Sequence, residues 1–141
     1  MNVEKQYSFV KLERLCSKMH VARLYQSGFV INKYPLRIHV LRVDCEDDVQ
    51  FPVQIVINAS KRGLRKAVHR NLMKRRLREL YRYNKSPLYS ALNEKNEKLH
   101  LSLVYYGSSI IDYWTLEKAF LKVWKRLLLE WPNIINQQKE K

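Results

Sequence analysis

Apolar side chains follow two different periods along the N-terminal half of the chain, one typical of helices and one typical of strands. Residues 15–26 carry apolar side chains at helical spacing and end before Gly28, a common stop residue, so we predict a first helix there. Residues 36–43 alternate and are rich in β-branched side chains, which predicts a strand. Residues 51–58 predict a second strand, and its continuous apolar run at 53–57 favours a central position in a sheet.

The C-terminal half shows a connection and then another strand. A Ser-Pro pair at residues 86–87 and a polar run at residues 93–98 indicate the connection. Residues 99–106 predict the third strand, which ends at Gly107.

A last helix is predicted near the C-terminus. Thr115 is a suitable N-cap for a helix that extends to about residue 130. Its apolar stripe is typical of packing on a core. Trp131 and Pro132 close the helix, because proline lacks the N–H that would continue it, and we expect residues 132–141 to form a flexible tail.

The most distinctive segment lies between the second and third predicted strands. Residues 61–82 hold ten basic residues and one acid, Glu79, in a chain whose formal net charge is +14. Wound as a helix, residues 70–82 place apolar side chains on one face and cations on the other. The apolar face consists of Met73, Leu77, Leu80 and Tyr81. The opposite face carries Arg70, Asn71, Lys74, Arg75, Arg78 and Arg82.

This density of cations repels itself and lowers stability unless an anion binds beside it. A solvated helix usually mixes signs, with an acid three or four residues from each base, and this segment does not. Arginine exceeds lysine here, which favours planar contacts with phosphates and stacking on bases. The segment therefore predicts nucleic-acid binding, in which neutralised phosphates also release counterions. A plain solvated face is the simpler alternative.

The same segment resembles the signature of the bacterial ribonuclease P protein subunit. The shared pattern is S-K-R-x-x-x-K-A-V-x-R-N-x-x-K-R-x-x-R-E-x-x-R, which begins at Ser60 and ends at Arg82. An Arg-Asn core followed by Lys-Arg and Arg-Glu is far more specific than a generic basic patch. Most members have a shorter link between the Ser-Lys and Ala-Val pairs, and here we expect Gly63 to be free to take a positive φ in that loop.

The resemblance covers about residues 12–130 and implies a single-domain fold of the α+β class. This fold is a two-layer α/β sandwich, of the kind shared with a ribosomal protein domain, in which helices pack on one sheet. Its expected order is α-β-β-(β)-α-β-α, and the pattern gives no position for the strand in parentheses. We therefore expect one RNA-binding domain over residues 1–141, with its core at about 12–130.

The resemblance also implies a function. In ribonuclease P the catalyst is a large RNA with bound Mg²⁺, and the protein assists it in hydrolysing one phosphodiester of precursor tRNA, which removes the 5′ leader. The chain would then be an accessory subunit of a ribonucleoprotein endoribonuclease. Its implied partners are the catalytic RNA and precursor tRNA, with no obligate protein partner. No cofactor is expected on the protein alone, and Mg²⁺ is expected with the RNA subunit.

Residues that match the signature are the predicted RNA-binding residues. In this family the Arg-Asn helix faces the RNA subunit, and the Ser-Lys-Arg loop lies next to it. The predicted set is Ser60, Lys61, Arg62, Lys66, Arg70, Asn71, Lys74, Arg75, Arg78 and Arg82. Asn71 is neutral within this set and could cap a backbone group or bridge an arginine to RNA.

The family further implies a cleft between the first helix and the sheet, where the single-stranded leader lies. The matching positions here are Val21, Tyr25 and His39. Tyr25 offers a ring for stacking on a base, and a tyrosine of the core is the equal alternative. Val21 cannot stack, and His39 only partly replaces an aromatic side chain, so leader affinity and base preference are expected to depart from the family pattern.

A nuclease site within the protein would need converging carboxylates or a histidine-centred pair. The acids at residues 44 and 46–48 are nearly contiguous between two strands, as in a solvated turn. The four histidines, His20, His39, His69 and His100, are scattered and lack the spacing of metal ligands. We predict neither a catalytic nor a metal site in this chain.

The composition indicates the class of protein and its cellular compartment. The chain has 141 residues, of which 46 % are hydrophobic, enough for one core, and its basic charge favours nucleic acid over an anionic membrane surface. Cys16 and Cys45 lack metal or redox spacing, so we expect reduced thiols, with a disulfide as the alternative. The sequence shows neither the apolar core of a signal peptide nor the roughly twenty apolar residues of a membrane helix, so we expect a cytoplasmic protein.

Three other classes compete with this interpretation. A structural RNA-binding protein of the ribosomal type would share the basic helix but lack a leader cleft. A DNA-binding module would use Arg70, Asn71 and Arg75 in the major groove, but a predicted strand, rather than a short helix, precedes the basic helix. A self-sufficient nuclease is disfavoured because the chain offers no site for it.

Overall fold

The computed structural model describes residues 9, 11–44 and 51–139. The strands are β1 (Phe29–Lys33), β2 (Leu36–Val43), β3 (Val53–Ala59) and β4 (Lys98–Tyr105). The helices are α1 (Lys18–Ser27), α2 (Ala67–Asn84), α3 (Ser86–Glu94) and α4 (Tyr113–Lys139), and a short 3-10 turn (Lys11–Glu13) precedes α1. The three predicted strands and three predicted helices are confirmed, and β1 and α3 are additional.

The four strands form one sheet in the order β1-β2-β4-β3. β2 pairs antiparallel with both β1 and β4, whereas β3 pairs parallel with β4. A parallel pair needs a long crossover, which α2 and α3 supply. β1 is the strand whose position the pattern did not give, because only Ile31 of its five residues is buried and the alternation is correspondingly weak.

The prediction that residues 51–58 form a central strand is wrong, because β3 lies at an edge of the sheet. Its run is apolar for another reason. Val53, Ile55 and Ile57 face the main core, and Val56 packs on the opposite face beneath α1. A strand that is covered on both faces has the composition of a central strand even at an edge.

Alternation along the strands gives the sheet two unlike faces. One face, to which Ile38 and Leu101 belong, packs against α2, α3 and α4 and forms the main core. The other face carries α1, which buries Leu24 against Leu41. The fold is the predicted α+β sandwich, with α1 as a partial further layer that leaves one end of this second face accessible.

Helix α3 lies where a connection was predicted, at residues 86–98. Pro87 stands in the first turn of α3, where its missing N–H costs nothing. Leu88 and Leu92 lie four residues apart and are fully buried. One short apolar stripe on the core thus stabilises a helix in a segment whose polar residues indicated a loop.

The start of α4 differs from the prediction that Thr115 is its N-cap. The helix begins at Tyr113. Asp112 supplies the cap, since its Oδ2 accepts a hydrogen bond from the Thr115 backbone N–H at 3.4 Å. The pKa of the Asp112 carboxyl is lowered because Thr115 donates hydrogen bonds to its charged form.

The prediction of a flexible tail over residues 132–141 is wrong for the part that the structure describes. Helix α4 continues through Pro132 to Lys139. Trp131, Ile134 and Ile135 are buried in the main core. Their burial offsets the backbone hydrogen bond that proline removes. Residues 140–141 lie outside the described residues.

Candidate nucleic-acid interface

Helix α2 carries the basic segment on the surface of the molecule. Its apolar face packs on the main core as predicted, and Met73, Leu77, Leu80 and Tyr81 are at most 1 % exposed. Tyr81 also forms a hydrogen bond within the core, because its hydroxyl lies 2.7 Å from the hydroxyl of Tyr89. Core packing therefore fixes which side of α2 turns towards solvent.

Most predicted RNA-binding side chains lie on the solvent side of α2 or in the loop before it, and we call this region the α2 surface. Lys61, Arg62, Lys66, Asn71 and Arg75 are exposed, and Ser60, Lys74 and Arg78 are half-buried. No ion pair or side-chain hydrogen bond joins these cations to any described residue. Cations without protein partners at this density are available to phosphates.

Arg70 has a structural role that the sequence did not indicate. Its Nη1 donates hydrogen bonds to the carbonyls of Leu64 and Arg65 at 2.7 and 2.8 Å. These bonds close the loop that leads into α2. Arg76, which was not predicted as a site residue, acts similarly, because its Nη1 donates to the Ile111 carbonyl at 2.6 Å.

Arg82 stands at the far end of the α2 surface and is partly neutralised. Its Nη2 donates to Glu79 Oε1 at 2.6 Å, and its guanidinium lies 4.7 Å from the ring centroid of Tyr83. The hydrogen bond with Glu79 raises the pKa of Arg82. The positive surface is therefore most open towards the start of the helix.

The Ser-Lys-Arg loop is fixed to the end of β4. The Ser60 N–H donates to the Tyr105 carbonyl at 2.8 Å, and the Ser60 hydroxyl accepts from the Arg62 N–H at 3.2 Å. The expectation of a positive φ at Gly63 is wrong, since no described glycine has one. Glycine is needed there for close approach, because a Cβ would lie 2.2 Å from the carbonyl oxygen of Gly107.

A shallow groove of about 470 Å³ lies beside α1 on the second face of the sheet. It is lined by Tyr25, Arg37, His39, Asn58, Ala59, Ser60 and Val104, and we refer to this set as the groove. The structure thus brings together Tyr25 and His39, two of the three predicted cleft residues, and adds Ser60 from the basic loop. Val21 lies away from the groove, packed against the apolar cluster beneath α1.

Tyr25 and His39 contact each other in the groove. Their ring centroids lie 4.6 Å apart with an edge-to-face angle of 72°. The Tyr25 hydroxyl lies 2.7 Å from Ser102 Oγ, and the side chain is 40 % exposed. Burial, and then the charge of Arg37, lower the pKa of His39, so it is neutral at pH 7. Tyr25 is therefore both anchored and accessible.

Arg37 and Asn58 are groove residues that the sequence reasoning missed. Arg37 stands two residues before His39 on β2, so strand alternation places both on one face. Asn58 stands opposite Val104 in the parallel pair of β3 and β4. The alternation of Arg37 with His39 was a usable signal, whereas the partner of Asn58 depends on register that the sequence does not give.

The described residues contain no group of three or more histidine, cysteine or acidic side chains able to hold a metal ion. His20 and His100 lie near each other, with ring centroids 5.3 Å apart. Burial, followed by the charges of His20 and Arg23, lowers the pKa of His100 to about 4. Of the predicted acidic turn only Asp44 is described, and Cys45 also lies outside the described residues.

The described helices include none that is both long and apolar enough to cross a membrane. The sheet, the α2 surface and the groove define a small basic α+β domain suited to binding RNA. The sequence matches the family model for Ribonuclease P over residues 9–128. It is 33 % identical over 116 residues to the ribonuclease P protein component of Porphyromonas gingivalis, an alignment that covers 82 % of this chain and 83 % of that protein.

Two solved structures share the fold at 18 % sequence identity. The RNase P protein of Staphylococcus aureus superposes with a TM-score of 0.62 and covers 80 % of this chain and 93 % of its own. The RNase P protein of Thermotoga maritima gives a TM-score of 0.62 and covers 81 % of this chain and 96 % of its own. The chain belongs to the ribonuclease P protein family, whose role is tRNA 5′ processing.

Membership of this family confirms the resemblance and the predicted function in tRNA processing. It makes the chain an RNA-binding subunit of ribonuclease P that partners the RNase P RNA. No finding favours the alternative of a structural ribosomal-type protein.

Proposed function

We propose that this chain is an accessory subunit whose α2 surface binds the catalytic RNA and whose groove binds the 5′ leader of precursor tRNA. The chemical step then takes place in the RNA. The observation that carries this proposal is the position of Ser60, which lines the groove and also opens the basic loop that leads into α2. The two proposed binding regions, which lie on opposite faces of the sheet, therefore adjoin at this loop.

The α2 surface suits a folded RNA because its contacts need no particular base. Lys74 and Arg75 project from consecutive positions of one helix and meet phosphates as charges. Each phosphate that they neutralise releases condensed counterions, which favours assembly at low salt. Arg70 keeps the preceding loop closed, so Lys61 and Arg62 are presented at a fixed place beside the helix.

The groove suits a single strand because the accessible ring of Tyr25 can stack only on an unpaired base. Tyr25 is held by Ser102 and His39, and an anchored ring loses little freedom when a base stacks on it. Arg37 adds a cation at the same place. The leader would then be held beside a catalytic RNA that the α2 surface holds.

The protein would assist catalysis by reducing repulsion between two polyanions. Catalytic RNA and precursor tRNA both carry a phosphate charge at every nucleotide, and cations placed between them lower the ionic strength needed for their association. Mg²⁺ would be bound by the RNA subunit and supply the metal chemistry there. We further propose that the protein acts in the cytoplasm and needs no cofactor of its own.

The test is cleavage of a precursor tRNA at low Mg²⁺ by the cognate RNase P RNA, with and without this protein. We expect the protein to restore cleavage at the correct 5′ site and to be inert without the RNA. Cleavage by the protein alone would place the active site in the chain. Binding of the RNA without any stimulation would instead favour a purely structural role.

A further inference from the structure

Two tyrosines form an exposed aromatic pair at one end of the sheet. Tyr34 lies in the turn between β1 and β2 and is 68 % exposed. Tyr106 follows β4, and the two ring centroids lie 5.2 Å apart at an angle of 84°. The guanidinium of Arg37 lies 4.8 Å from the centroid of Tyr106, whose hydroxyl is also hydrogen-bonded to Asn32. Tyr106 is thus fixed from two sides and supports Tyr34.

Strand register places this pair at the mouth of the groove. Arg37 stands opposite Val104 in the β2–β4 ladder, and both line the groove. Tyr106 lies two residues beyond Val104, so alternation gives it the same face of the sheet. Its N–H donates to the Pro35 carbonyl at 2.9 Å, which continues the ladder by one more pair. Tyr106 therefore lies on the same face as the groove residue Val104, at the next position on that face and just beyond the end of β4.

The basic loop before α2 lies next to the segment that carries Tyr106. The Ser60 N–H is bonded to the carbonyl of Tyr105, the neighbour of Tyr106. The backbone of Gly63 also approaches Gly107 so closely that a Cβ there would lie 3.3 Å from the Tyr106 carbonyl oxygen. The loop that carries Lys61 and Arg62 is therefore held against the backbone at Tyr105 and Tyr106.

We propose that Tyr34, supported by Tyr106 and Arg37, is a stacking platform for one nucleobase of a single-stranded RNA that passes out of the groove. The inference rests on the proposed function, because the strand would be the leader held by Tyr25. An exposed ring of fixed orientation beside cations matches what an unpaired nucleotide offers, which is a flat base on a charged backbone. A base in a duplex has no free face to stack.

The platform also explains how this chain could hold a leader with so few rings on α1. Val21 occupies a position where the family resemblance implies a stacking side chain, and it is packed in an apolar cluster instead. Stacking surface that is missing from α1 is present on the β1–β2 turn. The leader would then contact Tyr25 first and Tyr34 one or more nucleotides further along.

The experiment uses the assembled holoenzyme and a series of precursor tRNAs whose leaders are shortened one nucleotide at a time. We expect Tyr34→Ala to weaken binding of the long-leader substrates by about tenfold, the size of one lost base stack. Binding of leaderless tRNA should not change. The loss of affinity should therefore disappear once the leader is shorter than a threshold length. Tyr34→Phe keeps the ring and should bind as the natural protein does. Trp114→Ala removes an equally exposed ring, 71 % exposed, from α4 and is the matched control.

Three outcomes would overturn the proposal in different ways. The first is that Tyr34→Ala leaves the dependence of affinity on leader length unchanged, in a holoenzyme that does gain affinity from the leader. This would refute the stacking platform but not leader binding in the groove. The second is that the natural holoenzyme binds leader-bearing and leaderless tRNA with the same affinity. This would refute leader binding by the groove and the platform as well. Equal losses for Tyr34→Ala and Trp114→Ala would show that neither ring is specific.

Discussion

The α2 surface and the groove lie side by side but offer RNA different physical contacts. On the α2 surface, Lys74 and Arg75 present charges that meet any phosphate backbone. In the groove, Tyr25 presents a ring that requires an unpaired base. Under the proposed function, this difference would let one small domain hold a folded RNA and a single strand at once, without either site competing for the other's ligand.

A similar division runs through the arginines of α2 itself. Arg75 is exposed and makes no side-chain hydrogen bond to a described residue, whereas Arg70 donates to two backbone carbonyls of the preceding loop. Positive charge alone therefore does not identify an RNA contact. Some cations of the basic segment hold the protein in the shape that presents the others.

The largest expected effect comes from reversing two charges of the α2 surface, one half-buried and one exposed. Lys74→Glu combined with Arg75→Glu should weaken assembly with the RNase P RNA by roughly 100-fold near physiological salt and lower the salt slope by about two. Filter binding across a salt series measures both quantities. Lys122→Glu with Lys125→Glu makes the same charge change at exposed positions of α4 and is the control. Equal losses for both pairs would mean that only net charge matters.

The next effect separates structural from RNA-facing arginines. Arg70→Ala should lower the free energy of unfolding by roughly 2 kcal/mol, because two carbonyls lose a charged donor. Arg75→Ala should stay within about 0.5 kcal/mol of the natural protein, as surface changes usually do. Urea denaturation measures both. Identical stabilities would contradict the assignment of Arg70 to the loop.

A smaller effect is expected in the groove. Tyr25→Ala should reduce the affinity of the holoenzyme for leader-bearing precursor tRNA by about tenfold, one base stack, and leave assembly with the RNase P RNA unchanged. Tyr25→Phe keeps the ring and loses only the hydrogen bond to Ser102, so it should retain most of the affinity. If Tyr25→Ala instead weakened assembly, the groove would belong to the RNA-subunit interface.

The smallest effect concerns acid. Burial lowers the pKa of His39, and lowers that of His100 to about 4, so both are neutral in the folded protein at pH 7. In the unfolded chain they take up a proton below about pH 6.5. The unfolded state therefore binds more protons as the pH falls, and stability should drop steadily between pH 7 and pH 5.

Urea denaturation at the two pH values measures this loss, which should shrink in His100→Leu. The arginines of the α2 surface keep their charge over this range, so acid should act on the fold beneath α1 rather than on the α2 surface. Stability that rises towards pH 5 would contradict the buried, neutral state of these histidines.

The comparison also shows where sequence reasoning succeeds. The apolar stripe of α2, from Met73 to Leu80, follows from local periodicity, and the core buries it as expected. The family signature lies in one continuous segment, so it needed no tertiary information. Both depend on neighbours along the chain.

The errors came from contacts between distant residues. Helix α4 passes Pro132 because Ile134 and Ile135 are buried on the far side of it, which no local rule predicts. The two hydrogen bonds of Arg70 to the loop carbonyls and the place of Asn58 in the groove likewise depend on the folded geometry. Sequence predicted which side chains carry charge, and structure was needed to separate those that face solvent from those that hold the fold.

The central claim is that the α2 surface contacts the RNase P RNA and the groove contacts the leader. Its most direct test is site-directed crosslinking in the holoenzyme with precursor tRNA, using Cys16→Ser and Cys45→Ser to remove the native thiols. A photoreactive probe is attached after either Arg75→Cys or Asn58→Cys. We expect the probe at position 75 to attach to the RNase P RNA and the probe at position 58 to attach to the leader. Attachment of the probe at position 58 to the RNase P RNA alone, or of the probe at position 75 to the leader, would contradict it.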